Sequence, residues 1–274
     1  MRGWGYEEVG EVIELGADVG GVALGDRVYG AWGHRSRHVV SEEYAKQRIL
    51  PAALESVLGI FSQIGAISLN GVHDARIRVG ETVAIFGLGV PGQIAAQLAK
   101  RSGARVVGVD LIVERLELAV ASGAVDVIVD ASEGGVAETI RELTEGRGAD
   151  VAIEASGSTR ALNEAVRSVA YSARVVALGF FQGNAEGLFL GEEFHHNRVN
   201  IVCSQIFGVD PELSYRWNQL RLIHTGIRLQ AEGALQLKSL ITHEYPYSQA
   251  AEAFRILDQE PAGALQVVLD FSDA

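Results

Sequence analysis

The run Glu81 to Gly92, Glu-Thr-Val-Ala-Ile-Phe-Gly-Leu-Gly-Val-Pro-Gly, restricts this chain more than any other stretch. Thr82 to Phe86 is a short apolar run bounded by glycines, which reads as a strand buried on both faces. Gly87, Gly89 and Gly92 then fall in G-x-G-x-x-G spacing, with Leu88, Val90 and Pro91 between them, and Gln93 to Lys100 reads as a helix. Three physical demands meet in that spacing. The first glycine makes a tight turn, the second lets a pyrophosphate approach the backbone, and the third lets helix and strand pack closely. The N–H groups and positive dipole end of the helix then face the phosphates. A chain with 32 glycines can produce such spacing by chance, so context decides. A second strand, Arg105 to Val109, ends in Asp110, about twenty residues further on. A carboxylate there accepts hydrogen bonds from the ribose hydroxyls and repels a 2′-phosphate, so NAD is expected and NADP is disfavoured. The competing reading is an Asp that merely caps a strand in an ordinary α/β domain.

The rest of the composition narrows the class. A chain of 274 residues, 48% apolar and 21% charged, is globular and long enough for a substantial core. A net charge of −12, with no run rich in Lys and Arg, argues against nucleic acid as a partner. The single cysteine, Cys203, rules out an internal disulfide and any multi-cysteine zinc knot. Cys203 lies in an apolar strand and is expected to be a core thiol. The N-terminal residues carry no apolar leader run, and no stretch is long enough to span a bilayer. A cytoplasmic protein with no membrane partner is the expectation.

From the N-terminus, Tyr6 to Tyr29 is punctuated by glycine and rich in β-formers, and Gly33 to Val40 reads as a polar loop entering a strand. Pro51 to Leu58 and Phe61 to Asp74 read as helices. From Glu81 onward strand and helix alternate. Helices are expected at Ile112–Ala121 (Leu116, Ala119 and Val120 inward), Val136–Thr144 and Thr159–Ala170, and strands at Val125–Val129, Val151–Glu154, Arg174–Leu178 and Asn200–Ser204. Pro211 to Glu232 reads as one long helix, with Trp217 packed inside it. Six strands with crossover helices make a Rossmann doubly wound parallel sheet, with ligands at the carboxyl ends of its strands. The tail, strand, helix, strand, returns to the first domain. His195 and His196 read as loop or helix-start residues, because neighbours on a strand point to opposite sides. Glu154 reads as a polar residue that satisfies a sheet terminus.

These segments resemble a family. Gly5-Tyr6-Glu7 with Val9-Gly10-Glu11-Val12, Gly25-Asp26-Arg27-Val28, Gly80 to Gly92, and Leu240 to His243 with Pro246, Ala250, Ala253 and Phe254 together resemble the medium-chain dehydrogenase/reductase superfamily, zinc-type alcohol dehydrogenase-like. Glu192 to His195, Arg198 and Arg216-Trp217 resemble most closely its bacteriochlorophyllide dehydrogenase-like subgroup. The resemblance implies a truncated GroES-like β-domain (1–60 with 240–274) for the substrate, a Rossmann NAD-binding domain (61–239), and a homodimer paired through the sixth strands. It implies adenine neighbours Asp110, Leu111, Arg115 and Ser156, and nicotinamide neighbours Gly179, Phe180, Ser204 and Gln205.

The departures from that family matter as much. Its first zinc-ligand cysteine lies ahead of the Gly-His-Glu segment, near which this chain begins; Tyr6 replaces its ligand histidine, and Ser62 falls where another ligand belongs. Its four-cysteine structural lobe is missing. No zinc is therefore expected, and Glu7, His34 and His38 are the remaining candidates for any metal. Tyr6, Ser62 and His34 become the candidates to polarise a carbonyl or take an alcohol proton. Equally, Tyr6 fills the space of a lost histidine and His34 is a solvated loop residue. Three functions fit: an NAD(H)-dependent oxidoreductase acting on a small alcohol or carbonyl without zinc, a redox-neutral enzyme using bound NAD transiently, or a non-catalytic NAD(H)-binding protein.

Overall fold

The computed structural model describes residues 4–273; Met1, Arg2 and Gly3, part of the N-terminal stretch without an apolar leader run, and Ala274 lie outside the described residues. The chain divides into two compact units, residues 1–66 with 223–274, and residues 67–222.

The first unit opens with β1 (Glu8–Glu11), antiparallel to β2 (Arg27–Gly30). The strand expected near Val39 and Val40 does not form. Ser41 accepts a hydrogen bond from the Tyr44 N–H at 3.2 Å and starts α1 (Glu42–Lys46), whose first turn carries Glu42 and Glu43. A serine cap followed by acids favours a helix start over continued extension. Pro51 likewise begins no helix. Arg27 takes the carbonyls of Leu54 (2.6 Å) and Pro51 (3.1 Å), and the Pro51 carbonyl also accepts the Leu54 N–H at 3.0 Å, a single turn that goes no further. A 3-10 turn at Ser56–Phe61 then runs directly into α2 (Ser62–Ala75).

The second unit is built on β3 (Thr82–Phe86), in which every residue is buried. It continues through α3 (Val90–Arg101), β4 (Arg105–Asp110), α4 (Val113–Ala121), β5 (Val127–Asp130), α5 (Val136–Glu142), β6 (Ala149–Glu154), α6 (Thr159–Ser168), β7 (Val169–Ala177), α7 (Glu193–His196) and β8 (Asn200–Cys203). The strands form one six-stranded sheet in the order β5-β4-β3-β6-β7-β8, every pair parallel. Counted within the unit this is 3-2-1-4-5-6, the doubly wound order, whose winding reverses between β3 and β6. Phe86, Val107, Val109, Ala152 and Val175 from the strands pack with Ile140, Leu162 and Val166 from the helices to form its core. His195 and His196 lie on the single turn of α7, their rings edge to face.

Three expectations fail here. The long helix at Pro211–Glu232 is two pieces: a 3-10 turn at Pro211–Leu213 and α8 (Gln219–Ala231). Asn218 accepts the Arg221 N–H at 2.9 Å, so it caps a new helix and leaves Trp217 ahead of it, against the His73 ring at 4.4 Å. Val120 is 53% exposed, whereas Leu116 and Ala119 are buried. At 100° per residue the buried stripe is centred between those two, which puts Val120 roughly 70° off it. Cys203 is exposed, because β8 is the sheet's edge and the cysteine is its last residue.

The sequence puts the domain divisions near residues 60 and 240; the units divide within α2 and α8. The chain then returns to the first unit as β9 (Ile241–Pro246), α9 (Ala250–Gln259) and β10 (Gln266–Asp270), with β9 and β10 parallel. Among the described residues no helix is long and apolar enough to cross a membrane.

Candidate cofactor and catalytic sites

In the second unit the carboxyl ends of the strands carry the candidate cofactor residues. Gly87 leaves β3 at φ +85°, a left-handed conformation that favours glycine, and a Cβ there would lie 2.7 Å from that of Ser156. The loops after β3 and β6 thus meet at the point where the winding reverses. A Cβ on Gly92 would sit 1.8 Å from the Gly87 carbonyl oxygen, so α3 lies directly on the turn. A Cβ on Gly89 would meet only the Pro91 Cδ, at 3.9 Å, so that position faces open space. Gly89 is also the N-cap of α3 and offers no side-chain hydrogen bond. The N–H groups of Val90 and Gly92 have no preceding helical turn to pair them, and Pro91 contributes none. Open space at Gly89 and N–H groups without a helical partner are what an anion cradle requires.

Asp110 is buried at the end of β4, its Oδ2 accepting the Leu88 N–H at 2.6 Å and its Oδ1 the Ile112 N–H at 2.9 Å. Leu88 itself is fully buried and lends the loop only backbone. Leu111 is exposed, and Arg115 lies in the first turn of α4, where its carbonyl accepts the Gln93 Nε2 at 2.9 Å. Gln93 is fully buried and ties α3 to α4, a role the sequence reading missed.

At the end of β6, Glu154 is fully buried and its carboxylate accepts the N–H groups of Ser156 (2.8 Å) and Gly157 (3.1 Å) and the Ser156 hydroxyl. Burial pushes its carboxyl above the ordinary range, against those hydrogen bonds. A Cβ on Gly179 would lie 2.2 Å from the Gly157 nitrogen, so the β6 and β7 loops are in contact, with Phe180 83% exposed beside them. Ser204 is buried just past β8 and donates its N–H to the Ala177 carbonyl, while Gln205 is exposed. The sheet edge therefore gathers every candidate cofactor residue named from the sequence.

The candidate catalytic residues Tyr6, His34 and Ser62 all belong to the first unit. The His34 N–H donates to the Trp4 carbonyl at 2.6 Å, and its ring lies against Gly5 and 6.5 Å from that of Phe254. Ser62 is buried at the start of α2. Tyr6 is half exposed, and burial around its hydroxyl, then the Glu7 charge, raises it above its ordinary 10.0. It is therefore a hydrogen-bond donor at neutral pH, not a phenolate.

Glu7, one of the metal candidates from the sequence, has both carboxyl oxygens shut off from solvent, with the Ile64 N–H directed at its carboxyl. Burial pushes its carboxyl well above 4.5. A carboxyl raised in the folded state binds more protons there than in the unfolded chain, so its contribution to stability is full below 4.5 and is lost as pH rises through its folded value. The denaturant midpoint is expected to fall between pH 5 and pH 8, and Glu7→Gln to flatten that fall. Parallel slopes for both proteins across that range would refute it.

A doubly wound sheet with a glycine turn at its winding reversal and an acid at the next strand end is the architecture of the Rossmann dinucleotide-binding folds. The comparisons agree. The family model described as zinc-binding dehydrogenase matches residues 91–222. D-guloside 3-dehydrogenase of Escherichia coli (strain K12) is 36% identical over 268 residues, covering 96% of this chain and 76% of that one. A zinc-binding dehydrogenase from Sinorhizobium meliloti 1021 bound to NADP superposes with a TM-score of 0.78 at 25% identity, over 97% of this chain and 82% of that one. An alcohol dehydrogenase from E. coli CFT073 complexed with NADH does so with a TM-score of 0.78 at 21% identity, over 97% of this chain and 83% of that one. The chain belongs to the medium-chain dehydrogenase/reductase superfamily and is an alcohol dehydrogenase-like oxidoreductase.

The zinc of that family needs about three protein ligands of Cys, His or carboxylate type. Tyr6, Glu7 and Ser62 supply one carboxylate, a phenol held protonated and a hydroxyl. Among the described residues no group of three or more His, Cys, Asp or Glu could hold a metal ion. These side chains do not fit a zinc ion, whereas the glycine cradle does fit a dinucleotide.

Proposed function

We propose that this chain is a zinc-independent, NAD(H)-dependent oxidoreductase that interconverts a secondary alcohol of a sugar or polyol and the corresponding ketone. The sugar class rests on the guloside dehydrogenase relative. When bound, the nicotinamide gives or takes the hydride. The chain's own residues do the rest. The first turn of α3 binds the pyrophosphate, and Asp110 holds the adenosine ribose, with Leu111, Arg115 and Ser156 around the adenine. Gly179, Phe180, Ser204 and Gln205 border the nicotinamide. In ketone reduction the Tyr6 hydroxyl gives its proton to the carbonyl oxygen as charge develops there, Ser62 orients that oxygen and His34 relays a replacement proton from solvent to Tyr6; alcohol oxidation runs the same relay outward. The first unit takes the substrate and the second the cofactor. A second copy pairs along the free edge of β8, and the dimer works in the cytoplasm.

The observation that carries this reading is the Gly87–Gly89–Gly92 cradle facing a buried Asp110. The test is absorbance at the nicotinamide band with NAD or NADP across a panel of sugars and polyols, before and after chelation. NADH formation that survives the chelator is expected, and Asp110→Ser is expected to shrink the preference for NAD over NADP by about tenfold, or 1.4 kcal/mol. Turnover abolished by chelation and restored by zinc would overturn metal independence. Cofactor binding without net NADH on any substrate would favour a redox-neutral or non-catalytic role.

A further inference from the structure

A buried polar network joins α2 to the end of β8, and nothing in the cofactor reading requires it. Asn70, only 1% exposed, places its Nδ2 at 3.1 Å from the Gly208 carbonyl and 3.4 Å from that of Gln205. The same nitrogen lies 3.4 Å from Asp74 Oδ2 and 3.5 Å from Ser204 Oγ. An amide NH2 has two hydrogens, and four oxygens around it fix its orientation: turned over, it would set Oδ1 against carbonyl and carboxyl oxygens. Asp74, one turn along α2, shares a hydrogen bond with the Ser204 hydroxyl. At the end of the helix Arg76 grips Asp210 through Nε at 2.8 Å and Nη2 at 3.1 Å. The segment 204–210 is thus fastened to α2 at both ends. Between the fastenings it is a turn, with Phe207 85% exposed and no core of its own.

Adhesion alone does not call for such a network. Leu178 already packs against α2, its methyls 3.1 Å from where a Gly71 Cβ would lie. Buried amides and carboxylates are costly to desolvate and act at fixed geometry, so the network governs where this backbone sits. We propose that Asn70 is a positioning residue for the nicotinamide half of the cofactor: its amide clamps the Ser204–Gly208 segment to α2 and so sets Ser204 and Gln205 at the carboxyl end of β8. This rests on the reading that those two residues border the nicotinamide.

The test compares binding of NADH and of ADP-ribose, which carries the adenosine and both phosphates but no nicotinamide. Asn70→Ala is expected to weaken NADH at least tenfold and leave ADP-ribose within twofold of wild type. Asn70→Asp is expected to weaken NADH further, because a carboxylate would face two carbonyls and Asp74. Equal losses for both ligands, or unchanged NADH affinity in both variants, would overturn the role of Asn70 and leave the cofactor reading standing. A wild-type protein that binds neither ligand would overturn the cofactor reading and the clamp with it. Should Asn70→Asp not fold, Asn70→Ala gives the comparison by itself.

Discussion

Gly89→Asp is expected to keep the melting temperature of the protein, or raise it slightly, while costing at least about a hundredfold in NADH affinity, or 2.7 kcal/mol. Gly89 has φ −64° and ψ −174°, extended backbone that an aspartate adopts without strain. A Cβ there meets nothing closer than 3.9 Å. The position is an uncapped helix start, where an aspartate stabilises by about 0.5–1 kcal/mol through its hydrogen bond and the dipole. The same carboxylate would occupy and repel the site of a pyrophosphate. Gly92→Ala gives the contrasting result. Its Cβ would lie 1.8 Å from a backbone oxygen, so helix or turn must move, at a cost of about 3 kcal/mol in stability. Calorimetric melting with NADH titration separates the two. Unchanged NADH affinity in Gly89→Asp would end the claim that this turn holds a diphosphate.

What the sequence discloses here depends on whether a constraint is local. The glycine cradle and Asp110 are legible because steric demands act over a few residues, and the strand–helix alternation sets the doubly wound sheet. Asn70 and Asp74 lie one helical turn apart in a largely apolar helix, a pattern that hints at a buried polar purpose. Their partner Ser204, and the Asp210 that Arg76 grips, are more than a hundred residues away, so only the fold discloses the clamp. Cys203 fails for a related reason: whether an apolar strand is central or an edge depends on pairing order, which its own residues do not encode. In the first unit, the cap at Ser41 and the grip of Arg27 on Pro51 and Leu54 override the local propensities for strand and helix. The burial of Glu7 is illegible for the same reason: its partner, the Ile64 N–H, lies more than fifty residues along the chain.

Tyr6→Phe is expected to lower kcat for ketone reduction by about a hundredfold, within the range of a positioned proton donor, and to leave NADH affinity unchanged. The hydroxyl is raised above 10.0 by burial first and by Glu7 second, so it stays protonated through neutral pH and can donate to an oxygen gaining negative charge. Phenylalanine keeps the ring and removes only that donor, so a loss confined to kcat identifies an interaction made in the transition state. If instead Tyr6 merely occupies the volume of a missing histidine, Phe would fill that volume equally well and kcat would not change. Glu7→Gln adds a second reading of the same site. Removing the charge that helps raise the tyrosine should lower the alkaline limb of the kcat profile, because the phenol then ionises more easily. A Tyr6→Phe enzyme with wild-type kcat and an unshifted alkaline limb would remove the tyrosine from the chemistry.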